Sequence, residues 1–120
     1  MTTPRPLICA HRGASADHAD NSAAAFAAAI AAGADLVETD IRRGPDGTLV
    51  LSHDAVQPGE EPIPLTALLD LALGRVGLDL ELKEPGLEAD LLALLHRFDR
   101  GGPAGLVVSG SYVEVVICRR

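Results

Sequence analysis

Aromatic side chains are nearly missing from this chain, which has one tyrosine, two phenylalanines and no tryptophan in 120 residues. Without stacking platforms, single-stranded nucleic acid is a poor partner. Positive charge is scarce too. The formal charge is −7, Lys83 is the only lysine, and no basic stripe interrupts the acidic balance, which argues against nucleic acid on electrostatic grounds as well. Cysteine is limited to Cys9 and Cys118, both in apolar runs and not in a CxxC pair. They read as reduced, buried thiols. No apolar run reaches the roughly 18 residues that a membrane span needs, and the N-terminus has no secretory pattern. The expectation is a soluble, cytoplasmic protein with no membrane span and no nucleic-acid partner.

What is present is aliphatic. Hydrophobic residues make up 48% of the sequence, enough for one domain over residues 1–120 with a modest, Ala- and Leu-rich core. Leu7–Ala10 is a short apolar run, as in a strand covered on both faces, and it ends on His11-Arg12-Gly13. Asp20, Asn21 and Ser22 are all good N-cap types. They precede an Ala-rich helix that runs to Ala32 and stops at Gly33. Asp35–Ile41 is a second strand. Pro45-Asp46-Gly47 marks a turn, and Leu49–His53 is another apolar run. If these two runs pair as a hairpin, His53 returns to the level of Glu38 and Asp40. A parallel pairing is less favoured, because the twelve residues between Asp40 and His53 hold no crossover helix. A leucine-rich helix over about 65–73 follows. Gly77–Lys83 then alternates leucine with Asp79, Glu81 and Lys83, and Gly86–Phe98 has apolar residues at helical spacing. Leu106–Ser109 is one more short strand. Tyr112–Cys118 reads as strand rather than helix, against the preceding β/α alternation.

The polar residues gather where strands are expected to end. Glu38 and Asp40 lie two positions apart, so the pleat turns both carboxylates to one face. Placing two anions side by side is costly unless a cation or a shared proton offsets them. With Glu81 they form a set of oxygen donors suited to a hard divalent cation, Mg²⁺ or Ca²⁺, and lack the Cys/His set that zinc usually takes. Arg12 and Lys83 supply positive charge for an anionic substrate, and the Arg12 guanidinium can fork onto phosphate oxygens. His11 and His53, on different strands, can act as general acid and general base. Each cluster has an ordinary reading as well: a strand-end histidine on the surface, or an exposed, salt-bridged Glu-x-Lys. Their convergence favours a phosphodiester-cleaving site. His18 and His96 are assigned to the surface.

His11-Arg12-Gly13-Ala14-Ser15, Asp20-Asn21-Ser22 through Phe26, Gly33-Ala34-Asp35, Glu38-Thr39-Asp40, Asp46-Gly47, His53-Asp54 and Glu81-Leu82-Lys83 occur in this order. In order and approximate spacing this set resembles the glycerophosphodiester phosphodiesterase family, over roughly residues 7–109. The resemblance implies a partial TIM-type (β/α) barrel, roughly its first half, with parallel strands and helices on the outer face. A complete (β/α)₈ barrel takes about 250 residues, so the chain is expected to be truncated relative to the family. The implied activity is metal-dependent hydrolysis of glycerophosphodiesters to glycerol 3-phosphate and an alcohol, with attack by the neighbouring glycerol hydroxyl through a cyclic phosphate. It implies His11 and His53 as the acid/base pair, Glu38, Asp40 and Glu81 as ligands of Mg²⁺ or Ca²⁺, and Arg12 and Lys83 as phosphate contacts. Two features depart from the family: Ala19-Asp20-Asn21-Ser22 stands where Pro-Glu-Asn-Thr is usual, and the segment after Asp54 is short. Asp20 is therefore assigned a supporting role only.

Two other readings compete. One is a catalytically inactive half-barrel that acts as an oligomerising or binding module; the other is a related phospholipase-type phosphodiesterase. In either active or inactive form, an open half-barrel is expected to associate with itself through its exposed sheet edges.

Overall fold

The spacing of apolar residues sorts the chain into short strands and helices, and a computed structural model describes residues 5–72, 74–98, 106–108 and 113–117. In chain order the elements are β1 (Cys9–His11), α1 (Ala23–Ala31), β2 (Leu36–Arg43), β3 (Leu49–Leu51), α2 (Leu65–Ala72), β4 (Gly77–Leu82), α3 (Glu88–Arg97), β5 (Leu106–Val108) and β6 (Val113–Ile117). The strands lie in one sheet in the order β1-β2-β4-β6-β5, with β3 attached to β2. β1, β2 and β4 are parallel neighbours. This is the α/β barrel pattern in partial form.

Two strands run against that parallel set. β3 pairs with β2 antiparallel, Ile41 opposite Leu51, so the hairpin alternative holds. Its turn is closed by the Gly47 N–H donating to the Gly44 carbonyl at 3.0 Å, with Gly47 at φ 87°. Glycine adopts that left-handed conformation without the Cβ penalty. β6 pairs antiparallel with both β4 and β5, so Val113–Ile117 is strand and interrupts the β/α alternation. Cys118, Tyr112 and residues 1–4 of the lead-in lie outside the described residues.

The pleat divides the sheet into two chemical faces. Val37, Thr39 and Ile41 stand in register with Leu78, Leu80 and Leu82. All six are buried. Phe26 and Ala29 of α1, Leu65, Leu68, Leu69 and Ala72 of α2, and Leu87, Leu91 and Leu94 at α3 belong to the same core cluster. Each large side chain buried there contributes about 1.5–3 kcal/mol. The alternate positions, Glu38 beside Asp79 and Asp40 beside Glu81, point the other way. Strict alternation in β4 is thus the signature of one face packed by helices and one polar face.

The start of the chain differs from expectation. Leu7 and Ile8 are 68% and 60% exposed, and Cys9 is exposed as well. Covering both faces of a strand requires packed layers above and below it, which the exposure of these residues shows β1 does not have. β1 also stands first in the strand order, at an edge beside β2, and neither the two-sided cover nor the buried Cys9 thiol is realised. Among the described residues, no helix is long and apolar enough to cross a membrane.

Gly13 couples β1 to α1 at close range. A Cβ placed there would meet the Ala25 backbone at 2.7 Å, and the residue sits at φ 82°. Gly13→Ala therefore combines a strained backbone with an overpacked contact, and should destabilise the fold by about 2–4 kcal/mol. Urea titration of the two proteins measures this directly; a loss below about 1 kcal/mol would mean that the loop relaxes away from α1.

Candidate active site

The polar face of the sheet is built from β2 outward. Glu38 and Asp40 rise from β2 on one face, and Glu81 stands beside Asp40 on β4. Ligand oxygens of these three residues all lie within 4.8 Å of one another. Two of the three lie within the span of β2, not at its end, because residues 41–43 continue the strand to pair with β3. They are still level with the C-terminal ends of the neighbours: Glu38 pairs with His11, the last residue of β1, and Glu81 precedes the last residue of β4.

Cations surround the most buried acid. Asp40 is 1% exposed. One of its oxygens lies 3.3 Å from Arg12 Nε and accepts from Asn21 Nδ2 at 3.4 Å, and the other lies 3.6 Å from Lys83 Nζ. Lys83 also donates to Glu81 at 3.1 Å. Burial opposes its charge, but the Glu81 and Asp40 carboxylates outweigh that and raise its pKa. Arg12 extends to Asp20 at 3.1 Å, so Asp20 supports the guanidinium. Asp40 Oδ1 is buried and accepts no hydrogen bond among the described residues. A buried carboxylate oxygen that Lys83 Nζ approaches no closer than 3.6 Å, beside two more carboxylates, fits the donor set of a hard divalent cation.

The loop after β1 is shaped to present these groups. Arg12 has φ 57° and Asn21 φ 54°, both left-handed. Such strain costs on the order of 1–3 kcal/mol for a residue like arginine and persists only where surroundings impose it. Here the Arg12 N–H donates to the Glu38 carbonyl at 2.8 Å, and the Asn21 N–H donates to the Arg12 carbonyl at 3.1 Å. Buried Asn21 also accepts from Thr39 Oγ1 at 2.7 Å, so its amide spans Thr39 and Asp40. Ser22, not Asn21, caps α1, accepting from the Ala25 N–H. Sequence reasoning offers Asn21 only as a cap type. Its position inside the matched motif was the available signal for a further role.

The histidines are placed differently. His11 Nε2 lies 3.4 Å from Glu38. His53 is half-exposed, its Nδ1 3.0 Å from Asp54 Oδ1. The hairpin register brings it near the carboxylates in level: the Ser52 N–H donates to the Asp40 carbonyl at 3.0 Å, one residue before it. Among the described residues, its ring contacts Asp54 and none of the three clustered acids. Two residues outside the expected set join this rim. Arg42 donates to the His53 carbonyl, and Glu84 accepts from Arg42 and from the Arg43 N–H. His18 and His96 are exposed, as expected.

Known proteins resemble this chain in part of its sequence and in fold. Residues 11–59 match the Glycerophosphoryl diester phosphodiesterase family. A glycerophosphodiester phosphodiesterase of Arabidopsis thaliana is 43% identical over 54 residues, 45% of this chain and 14% of that protein. A probable glycerophosphodiester phosphodiesterase of Mycobacterium tuberculosis is 49% identical over 49 residues, 41% of this chain and 18% of its own length. The crystal structure of glycerophosphodiester phosphodiesterase from Agrobacterium tumefaciens superposes with a TM-score of 0.69 at 27% identity, over 78% of this chain and 54% of that one. That from Thermotoga maritima gives 0.62 at 26% identity, over 79% and 52%. The chain thus spans about half of the solved structures that it resembles, and less of the sequence relatives.

Crowding of the acids has a consequence for pH. Burial raises the Glu38 carboxyl above its ordinary value near 4.5; Asp40 pushes the same way, His11 and the Arg12 N–H oppose, and Glu81 adds to the rise. The folded state therefore holds this proton more tightly than the unfolded one. The resulting stability is present below the unfolded carboxyl range and is lost as pH rises through the raised value. In chelator-containing buffer, Glu38→Gln should become progressively more stable than the parent between pH 4 and 7. A difference that stays flat with pH would mean that Glu38 is not desolvated.

Proposed function

We propose that the chain is a member of the glycerophosphoryl diester phosphodiesterase family, which its residues 11–59 match, and that it takes part in divalent-cation-dependent hydrolysis of glycerophosphodiesters to glycerol 3-phosphate and an alcohol. The observation that carries this reading is the meeting of Glu38, Asp40 and Glu81 within 4.8 Å, with Arg12 and Lys83 against them and His11 at the edge. Those three carboxylates would hold Mg²⁺ or Ca²⁺. The cation would act as a Lewis acid that neutralises charge developing on the phosphoryl oxygens. The three acids and two cations leave one net negative charge, which repels a phosphodiester. Bound to a divalent cation, the same groups would carry one net positive charge and attract it.

Arg12 and Lys83 are the phosphate contacts in this proposal. Arg12 offers a planar fork, Lys83 a mobile point charge. His11, whose Nε2 faces Glu38, and His53, whose Nδ1 faces Asp54, are the acid/base pair. In each case a carboxylate holds one ring nitrogen, leaving the other for proton transfer.

Two measurements on the 120-residue chain test the reading together. Millimolar Mg²⁺ or Ca²⁺ should raise the melting temperature through linkage, and the shift should vanish in a Glu38→Gln/Asp40→Asn variant. With glycerophosphocholine, His11→Ala and His53→Ala should each lower kcat by about 10²–10⁴-fold. Metal stabilisation equal in parent and variant, or turnover unchanged in both histidine variants, refutes the assigned roles.

The exposed Leu7 and Ile8 beside β1 support a second property, pairing of two copies through this edge. Light scattering coupled to size exclusion should then give a mass above 12.4 kDa at micromolar protein, and Leu7→Lys/Ile8→Lys should shift it toward the monomer. A stable monomer in the parent removes the idea.

A further inference from the structure

β3 ends at Leu51, and the ladder's last contact is the Ser52 N–H to the Asp40 carbonyl. His53 therefore stands just outside the sheet, in a tight turn closed by Ser52 Oγ donating to the Asp54 carbonyl at 2.6 Å. That bond and the ring's contact with Asp54 are local and cannot orient the turn relative to β2. One side chain does. Arg42 donates to the His53 carbonyl twice, from Nε at 3.1 Å and from Nη2 at 2.9 Å. Among the described residues, these are the hydrogen bonds that tie residues 53–55 to the sheet.

The guanidinium is itself held. Its Nη1 donates to Glu84 Oε2 at 3.4 Å, while Glu84 Oε1 accepts from the Arg43 N–H at 2.8 Å. Glu84 follows Lys83, whose own N–H donates to the Ile41 carbonyl at 3.1 Å. Arg42 also occupies the face of Glu38 and Asp40, two residues farther along β2. Its side chain is 18% exposed, less than a solvated surface arginine, and three of its five N–H donors have partners.

We infer that Arg42, anchored by Glu84, is a positioning residue that clamps the His53 carbonyl and so fixes where the His53 ring stands relative to the carboxylate cluster. The inference rests on the acid/base role proposed for His53 in one respect, its effect on turnover. The planar fork matters: two parallel N–H donors on one carbonyl restrain a peptide plane in direction as well as distance, and an ammonium cannot do this. The clamp also joins the segment carrying His53, after β3, to the segment carrying Lys83, after β4, through one ionic link.

Two readouts on the 120-residue chain test it. With ¹⁵N labelling, the His53 backbone order parameter should fall from about 0.85 toward about 0.6 in Arg42→Gln, with His11 unchanged. Glu84→Gln should fall between, and Arg42→Lys should not restore the parent value. On glycerophosphocholine, Arg42→Gln should lower kcat by about 10–100-fold, the effect of a displacement near 1 Å, with KM little changed. Unchanged His53 order in both Arg42→Gln and Glu84→Gln overturns the clamp; if Arg42→Gln does not fold, Glu84→Gln alone decides. A raised KM with kcat intact also overturns it, since Arg42 would then contact substrate. A parent that shows no turnover refutes the proposed function, while the order parameters still decide the clamp.

Discussion

A carboxylate that solvent barely reaches, Asp40, sets the terms for everything around it. Removing a carboxylate from water is tolerated only with opposite charge and hydrogen bonds close by. Arg12, Lys83 and Asn21 all converge on Asp40, from the loop after β1 and from the end of β4. Both loop residues, Arg12 and Asn21, have left-handed backbones, held by the Arg12 N–H on the Glu38 carbonyl and the Asn21 N–H on the Arg12 carbonyl.

The site exists because the sheet has two unlike faces. Leucine on alternate positions of β4 secures the helices on one side, and the same alternation compels Asp79, Glu81 and Lys83 to the other. Stability and chemistry are thus written into one strand without competing for positions. β2 does the same, with Val37, Thr39 and Ile41 inward and Glu38, Asp40 and Arg42 on the polar face. A one-residue slip between the strands would exchange the two sets, so the aliphatic core also holds the carboxylates in register.

The hairpin of β2 and β3 adds a group that the parallel strands lack. Antiparallel return brings Ser52 against Asp40 and leaves His53 at the rim. The cost of that placement is weak tethering, since the ladder ends before the histidine. Arg42 and Glu84 supply the missing restraint from the ends of β2 and β4.

Local pattern carried a good deal of this protein. Alternation in β4, the capping residues before α1, the Pro45-Asp46-Gly47 turn and the two-residue spacing of Glu38 and Asp40 all act over a few residues, so the sequence alone specifies them. The family resemblance rested on the same short motifs, and so did the grouping of Glu38, Asp40 and Glu81. Other features depend on residues far apart in the chain. That β6 inserts between β4 and β5, that Leu7 to Cys9 stay exposed, that Asn21 bridges Thr39 and Asp40, and that Arg42 reaches His53 are outcomes of strand order and register. No window of sequence contains them, because each joins groups whose neighbourhood is created only when the sheet assembles.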